Sequence, residues 1–363
     1  MNKRFNQICS WLDHPVSSAP LATFRVVFGA VMVFSTLRYG YLGWIEQHFI
    51  DTKFTFKFYG FEWVQLLPPA GMYALFTLMS LGALGVMLGL YYRLSAAVFF
   101  ATFTYSWLID LTYYLNHYYF ISIIAFLLLL VPANRRFALD CLRRPGLTRL
   151  TIPRWMITIF KWQIAIVYIY AGLAKINSDW LIEALPLKIW LPANDQIPLL
   201  GSLFAWHWAP WLFSWLGMLY DTTIVFWLSW ARTRTPAYLS VIVFHGLTGI
   251  LFQIGVFPLV MIGATWIFFS EKFHKRLLGY FRGLSVRASA PPSTPPPKGR
   301  GATSHGFFKL KRGDTPLPFG GGVGGGADER AGFALTTLIV LHFAIQLLFP
   351  WRLLLYRGNL VWT

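Results

Sequence analysis

Apolar runs close to the ~20 residues that an α-helix needs to cross a hydrocarbon core recur along this chain, and they constrain its fold more than any other feature. They fall at 20–39, 71–91, 94–110, 117–133, 156–174, 209–231, 238–254, 256–270 and 333–350, with nearly all the charge in the loops between them. A chain that is 56% hydrophobic and 12% charged carries roughly half the charge of a soluble domain, so the composition agrees with the runs. The expected fold is all-α, a polytopic transmembrane helical bundle of about nine spans.

The formal net charge of +17 raises the question of nucleic acid, but the Lys and Arg residues form no aromatic-interleaved groove. Topology accounts for them instead. With the N-terminus inside, about 22 basic residues fall on inner segments and about 6 on outer ones, an asymmetry that by the positive-inside rule makes the N-terminus cytoplasmic and the C-terminus extracytoplasmic. The first run lacks a small-residue cleavage pattern and reads as a retained span. Cys9 and Cys141 have neither the number nor the spacing of a disulfide framework or a metal site. The expected location is a cell membrane, crossed several times, with a bacterial inner membrane the best fit to the short loops.

Three domains are expected: a transmembrane domain over 1–282, a linker over 283–330, and a last helix with a short extracytoplasmic tail over 331–363. The linker contains Pro291, Pro292, Pro295, Pro296 and Pro297 and a glycine-rich stretch between Gly320 and Gly326. It has too little apolar surface to offset its ordering entropy and reads as disordered and cytoplasmic.

Function must be read from the polar residues placed inside or beside the spans, where an ionisable group costs at least about 2.5–3.5 kcal/mol. Lys175 ends the fifth run; it is either a snorkelling lysine paired with Asp179 or a desolvated amine able to act as a general base. His117 begins the fourth run on the same outer side, with Asn116 beside it as a second polar group able to orient a hydroxyl or an oxyanion. His245 and Gln253 lie in the seventh run, serving either helix packing through an interhelical hydrogen bond or a site. Arg25, Arg38 and Lys161 lie near span ends, where snorkelling accounts for them. HExxH, P-loop, GxSxG and clustered Cys/His patterns are absent from the sequence, which removes the motif support for metal, nucleotide and serine-hydrolase chemistry. No internal repeat favours a transporter. Base chemistry at the outer face of an aromatic-rich bundle suits an apolar, ring-containing substrate drawn from the lipid, such as a quinol.

Several ordered motifs then point to a family. They are Phe24-Arg25-Val26-Val27-Phe28-Gly29, Gly82-Ala83-Leu84-Gly85, Gly89-Leu90-Tyr91-Tyr92-Arg93 and Asp110-Leu111-Thr112. Leu115-Asn116-His117-Tyr118-Tyr119, Ala133-Asn134-Arg135, Ala171-Gly172-Leu173-Ala174-Lys175-Ile176-Asn177-Ser178-Asp179-Trp180, Phe244-His245 and Phe252-Gln253-Ile254-Gly255-Val256-Phe257-Pro258 follow in order. Together they resemble the membrane domain, of HTTM type, of vitamin K-dependent gamma-glutamyl carboxylases and their bacterial relatives.

The resemblance implies a peptidyl-glutamate carboxylase-like enzyme of the carbon–carbon lyase class. Its cofactor would be vitamin K hydroquinone, with oxygen and carbon dioxide as co-substrates, a Glu-containing peptide as partner and no nucleic acid. It assigns Lys175 as the base for the hydroquinone, His117 and Asn116 as its catalytic companions, and His245 and Gln253 as cofactor-binding residues. It also sets an expectation that the family's extracytoplasmic β-rich domain is absent after Thr363. The alternative is a quinol-binding redox or scaffold protein without carboxylase activity.

Overall fold

The computed structural model describes residues 3–277, apart from 199 and 253, and residues 337, 339, 341–344 and 346. Two units are distinguished, 1–281 and 282–363. In the second, the described residues are helical; the expected linker over 283–330 and most of the expected span over 333–350 lie outside the described residues.

The first unit is built almost wholly of helices. It opens with α1 (Lys3–Asp13), strand β1 (Pro15–Ser17) and α2 (Ala19–Tyr41), followed by a five-residue π-helical turn at Glu46–Ile50. The long helices α3 (Pro69–Leu88), α4 (Tyr92–Leu108) and α5 (Asn116–Leu130) come next, then the short α6 (Leu139–Arg143) and strand β2 (Thr151–Pro153). The chain continues through α7 (Trp155–Ala174), the short α8 (Ser178–Leu181), α9 (Leu185–Trp190) and α10 (Gly201–Phe204), and α11 (Ala209–Ser229). It closes with α12 (Arg234–Leu251) and α13 (Phe257–Ala264), which runs into a 3₁₀ turn at Thr265–Phe268. Eight of the nine apolar runs thus coincide with helices.

Three of these, α2, α3 and α7, are both long and apolar enough to cross a membrane. Their outward faces carry Phe34, Leu37, Leu78, Leu81 and Trp162, all more than half or close to half exposed. A soluble helix buries such residues in one stripe; helices that are apolar all round need an apolar solvent.

The long helices pack in chain order, each on the next, from α2 through α3, α4, α5, α7, α11 and α12 to α13, which returns to α2. Small residues let the backbones approach: a Cβ at Gly29 would lie 2.5 Å from the Met87 amide nitrogen, and one at Gly82 would lie 2.8 Å from that of Phe99.

The purely α expectation needs one correction. Strands β1 and β2 pair antiparallel, with Val16 opposite Ile152, and Ser18 donates its hydroxyl to the Arg149 carbonyl at 2.7 Å. This short sheet ties the entry of α2 to the entry of α7. Pro15 and Pro153, which cannot extend a helix, sit opposite each other at its end.

Arg25 is a second correction. It does not snorkel: it is 0% exposed, and its guanidinium is a clamp for backbone carbonyls. Nε donates to Ala133 O at 3.2 Å, Nη1 to Val86 O at 2.5 Å and Met87 O at 2.7 Å, and Nη2 to Phe137 O at 2.6 Å. Two of these acceptors belong to the last turn of α3, where carbonyls lack helical partners and attract cations.

The chain bends around this clamp. Gly89 takes φ +63°, and a Cβ there would lie 2.8 Å from Arg25 Nη1, while Tyr91 and Phe137 adopt φ of +42° and +50°. Asp140 holds the strained turn by accepting from the Tyr91 and Tyr92 amides at 2.9 and 3.0 Å and from Asn134 Nδ2 at 2.9 Å. Three of the ordered sequence motifs, around Arg25, Gly89 and Asn134, therefore meet in one hydrogen-bonded assembly.

Candidate functional site

The C-terminal end of α7 is set by one glycine. Gly172 is buried against α11 so closely that no other side chain fits, which brings the α11 backbone at Asp221 and Thr222 beside the last turn of α7. Lys175 follows as the residue capping that helix. Its Nζ donates to Asp221 Oδ2 at 2.7 Å and to Ala171 O at 3.0 Å, and it lies 5.2 Å from the centre of the Trp180 ring.

The pair is largely shielded, with side-chain exposures of 19% for Lys175 and 6% for Asp221. The partner expected for Lys175, Asp179, is exposed on α8 and is not the one the lysine takes. The close crossing at Gly172 places a carboxylate from another helix nearer the amine than the one in its own following turn. Asp221, which is not among the candidate residues above, carries its own signal in the sequence as a lone carboxylate inside the 209–231 apolar run.

The turn after Lys175 is held by its own motif. Asn177 caps α8 by accepting from the Trp180 amide at 2.9 Å. The Trp180 indole donates to Ser214 O at 3.2 Å, and Ser214 Oγ returns a bond to Trp180 O at 2.7 Å. Both ends of the segment are thus fastened to α11, which fixes the lysine and the aromatic ring over it.

A second group of polar side chains lies on the same bundle. Tyr168, two helical turns before Lys175 on α7, shares a hydrogen bond of 2.8 Å with His245 Nε2 on α12. The interhelical hydrogen bond considered for His245 is therefore made, while its Nδ1 is buried with no hydrogen-bond partner among the described residues. Tyr220, next to Asp221, sets its ring 6.1 Å from that of Tyr168 and stacks on Phe244 at 4.0 Å.

Phe257, at the start of α13, joins the two histidines. Its ring stacks on His117 at 5.2 Å and meets His245 edge-on at 6.0 Å. His117 is buried in the first turn of α5, while Asn116 beside it is exposed. The structure thus links His117 to His245 through an aromatic ring and gives Lys175 a carboxylate partner. Gln253 lies outside the described residues.

The family comparison finds a model described as HTTM domain that matches residues 13–273, a stretch that contains every residue of this site. No solved structure matches the chain.

Proposed function

The chain belongs to the HTTM domain family, the signature of gamma-glutamyl carboxylase-like proteins, and from that premise we propose that it is a multi-pass membrane enzyme acting on vitamin K-type quinols. The observation that carries the proposal is a shielded amine, Lys175, held on Asp221 beneath an indole ring.

A donor set of this kind fits a hydroxylated aromatic ring. Lys175 is placed to take a proton from a ring hydroxyl, and Trp180 offers a flat apolar surface beside it. His117 and Asn116 serve as orienting groups, with His245 and Gln253 in the binding of the quinol. When bound, reduced vitamin K supplies the base strength that the γ-carbon of a peptidyl glutamate requires, at the expense of oxygen, so that carbon dioxide can be added there. The chain's own contribution is to bind, orient and exclude water around Lys175.

In this reading the described long helices and the expected last one cross a cell membrane, a bacterial inner membrane. The N-terminus is cytoplasmic and the C-terminus extracytoplasmic, which puts Lys175, Asn116 and His117 on the outer side.

A second reading is a quinol-binding redox or scaffold protein without carboxylase activity. The tight pairing of Lys175 with Asp221 favours it, because an ammonium locked to a carboxylate is not by itself a base.

One assay separates the two. Purified protein in nanodiscs is given reduced vitamin K, oxygen and bicarbonate, with and without Lys175→Ala, and a Glu peptide is followed in parallel. Epoxide that depends on Lys175, with carboxylated peptide, supports the enzyme. Quinol binding without either product supports the second reading.

A further inference from the structure

We infer that Asp221 is the terminal proton acceptor for the site, so that the working base is the Lys175–Asp221 pair and not a neutral lysine. The inference rests on the proposed quinol chemistry and deepens it.

At 2.7 Å from an oxygen of the Asp221 carboxylate, a side chain only 6% exposed, the amine in its ammonium form has its charge matched. An ammonium has no lone pair to offer. It can take a proton from a ring hydroxyl only as it gives one up, and Asp221 is already hydrogen-bonded to receive it. The balance is closed: the quinol O–H breaks and an N–H forms on Lys175, while another Lys175 N–H breaks and an O–H forms on Asp221. The quinolate then faces an unchanged ammonium, and the neutral acid lies behind it.

The other titratable groups on the elements around the pair are Lys161, Tyr168 and Tyr170 on α7, Tyr220 on α11, Arg234, Tyr238 and His245 on α12, Asp179 on α8, Glu183 in the turn after it and Lys188 on α9. Tyr168 is engaged with His245, and Lys188 lies over the Trp211 ring at 4.3 Å. Asp179 is exposed. Asp221 is the carboxylate in contact with Lys175. Because Asp221 acts through Lys175, it is a positioning and proton-accepting residue, and its test must read more than lost activity.

The test uses the full chain in nanodiscs with reduced vitamin K1 as the probe. Asp221→Asn preserves an oxygen that accepts from Lys175 but cannot take its proton. Epoxide formation at pH 7 is expected to fall about 100-fold, to recover as pH rises and the unpaired lysine releases its proton to solvent, and to be partly restored by Asp221→Glu. Quinol affinity stays within about twofold, since a proton acceptor contributes to the chemical step and not to uniform binding. Independently of activity, ¹⁵N NMR of the lysine side chains, with the Lys175 signal assigned by its loss in Lys175→Ala, shows an ammonium in the resting wild type at pH 7.

A neutral amine in the resting protein overturns the inference, as does an Asp221→Asn variant at least as active as wild type at pH 7. The latter is what a neutral lysine base freed from its carboxylate would give. Lys175-dependent epoxide with a fully active Asp221→Asn variant overturns this inference alone, whereas no epoxide from quinol-bound wild type overturns the quinol chemistry with it. If Asp221→Asn fails to fold, the Asp221→Glu rate and the charge on Lys175 decide.

Discussion

Gly172 and Thr222 meet so closely that a Cβ at position 172 would lie 2.5 Å from Thr222 Cγ2 and 2.8 Å from its amide nitrogen. Contact at that range forces α7 and α11 apart, and the ion pair one turn further on is lost with it. Gly172→Ala is expected to destabilise the bundle by about 1–3 kcal/mol, the usual cost of overpacking. The loss of Lys175-dependent activity should exceed what the population of folded protein explains. Thermal unfolding in detergent, set beside the epoxide assay, checks both.

Arg25 binds four carbonyl oxygens from two segments, the last turn of α3 and the loop between α5 and α6, and no smaller side chain reaches them. Arg25→Met leaves those acceptors buried without donors, at a cost of about 1–3 kcal/mol for each one that finds no water. Arg25→Lys recovers little, because one ammonium cannot reproduce the planar fork. The expected result is poor yield and a lowered unfolding midpoint for both variants, with Met the worse; a wild-type midpoint for Arg25→Met would refute the clamp.

Tyr168 carries the hydrogen bond to His245, whose other ring nitrogen has no partner among the described residues. Tyr168→Phe strips the imidazole of this bond in a dry setting and is expected to cost about 1–3 kcal/mol. If the quinol reaches His245, its addition should return part of that stability. Unfolding curves with and without reduced vitamin K test the two effects separately.

Asp140, in the first turn of the short helix α6, supplies the pH dependence. Burial pushes its carboxyl up, but the Tyr92 amide, the Asn134 side chain, the Tyr91 amide and Arg143 together outweigh burial and hold it below the ordinary carboxylate value. A carboxyl depressed in the folded state contributes stability above its unfolded pKa, and that contribution fades as pH falls through the acid range. Asp140→Asn is therefore expected to be less stable than wild type at pH 7, with the difference shrinking below about pH 4. A constant difference from pH 7 to pH 3 would rule out the carboxylate as its source.

The extent of the long helices was legible in the sequence because an apolar helix of that length shows as a continuous apolar run, and eight of the runs agree with helices to within a few residues, whereas the short helices α1, α6, α8, α9 and α10 have no such run. The segments around Arg25, Asn116 and Lys175 stand out in the sequence too, as ordered motifs and as polar groups where they are costly. Their partners were not. Arg25 was read as a snorkelling residue because sequence shows distance along the chain and not depth in a packed turn. The snorkelling reading of Lys175 pairs it with Asp179, four residues away, whereas the close crossing at Gly172 brings it Asp221, 46 residues away. The meeting of His117 and His245 across Phe257 likewise depends on how α5, α12 and α13 close around one another. Hydrophobic length is a property of one segment at a time, so the sequence alone determined the long helices; strand pairing, hydrogen bonds and ion pairs between segments exist only once the helices are packed, so the tertiary structure decided the short sheet and which polar residues meet.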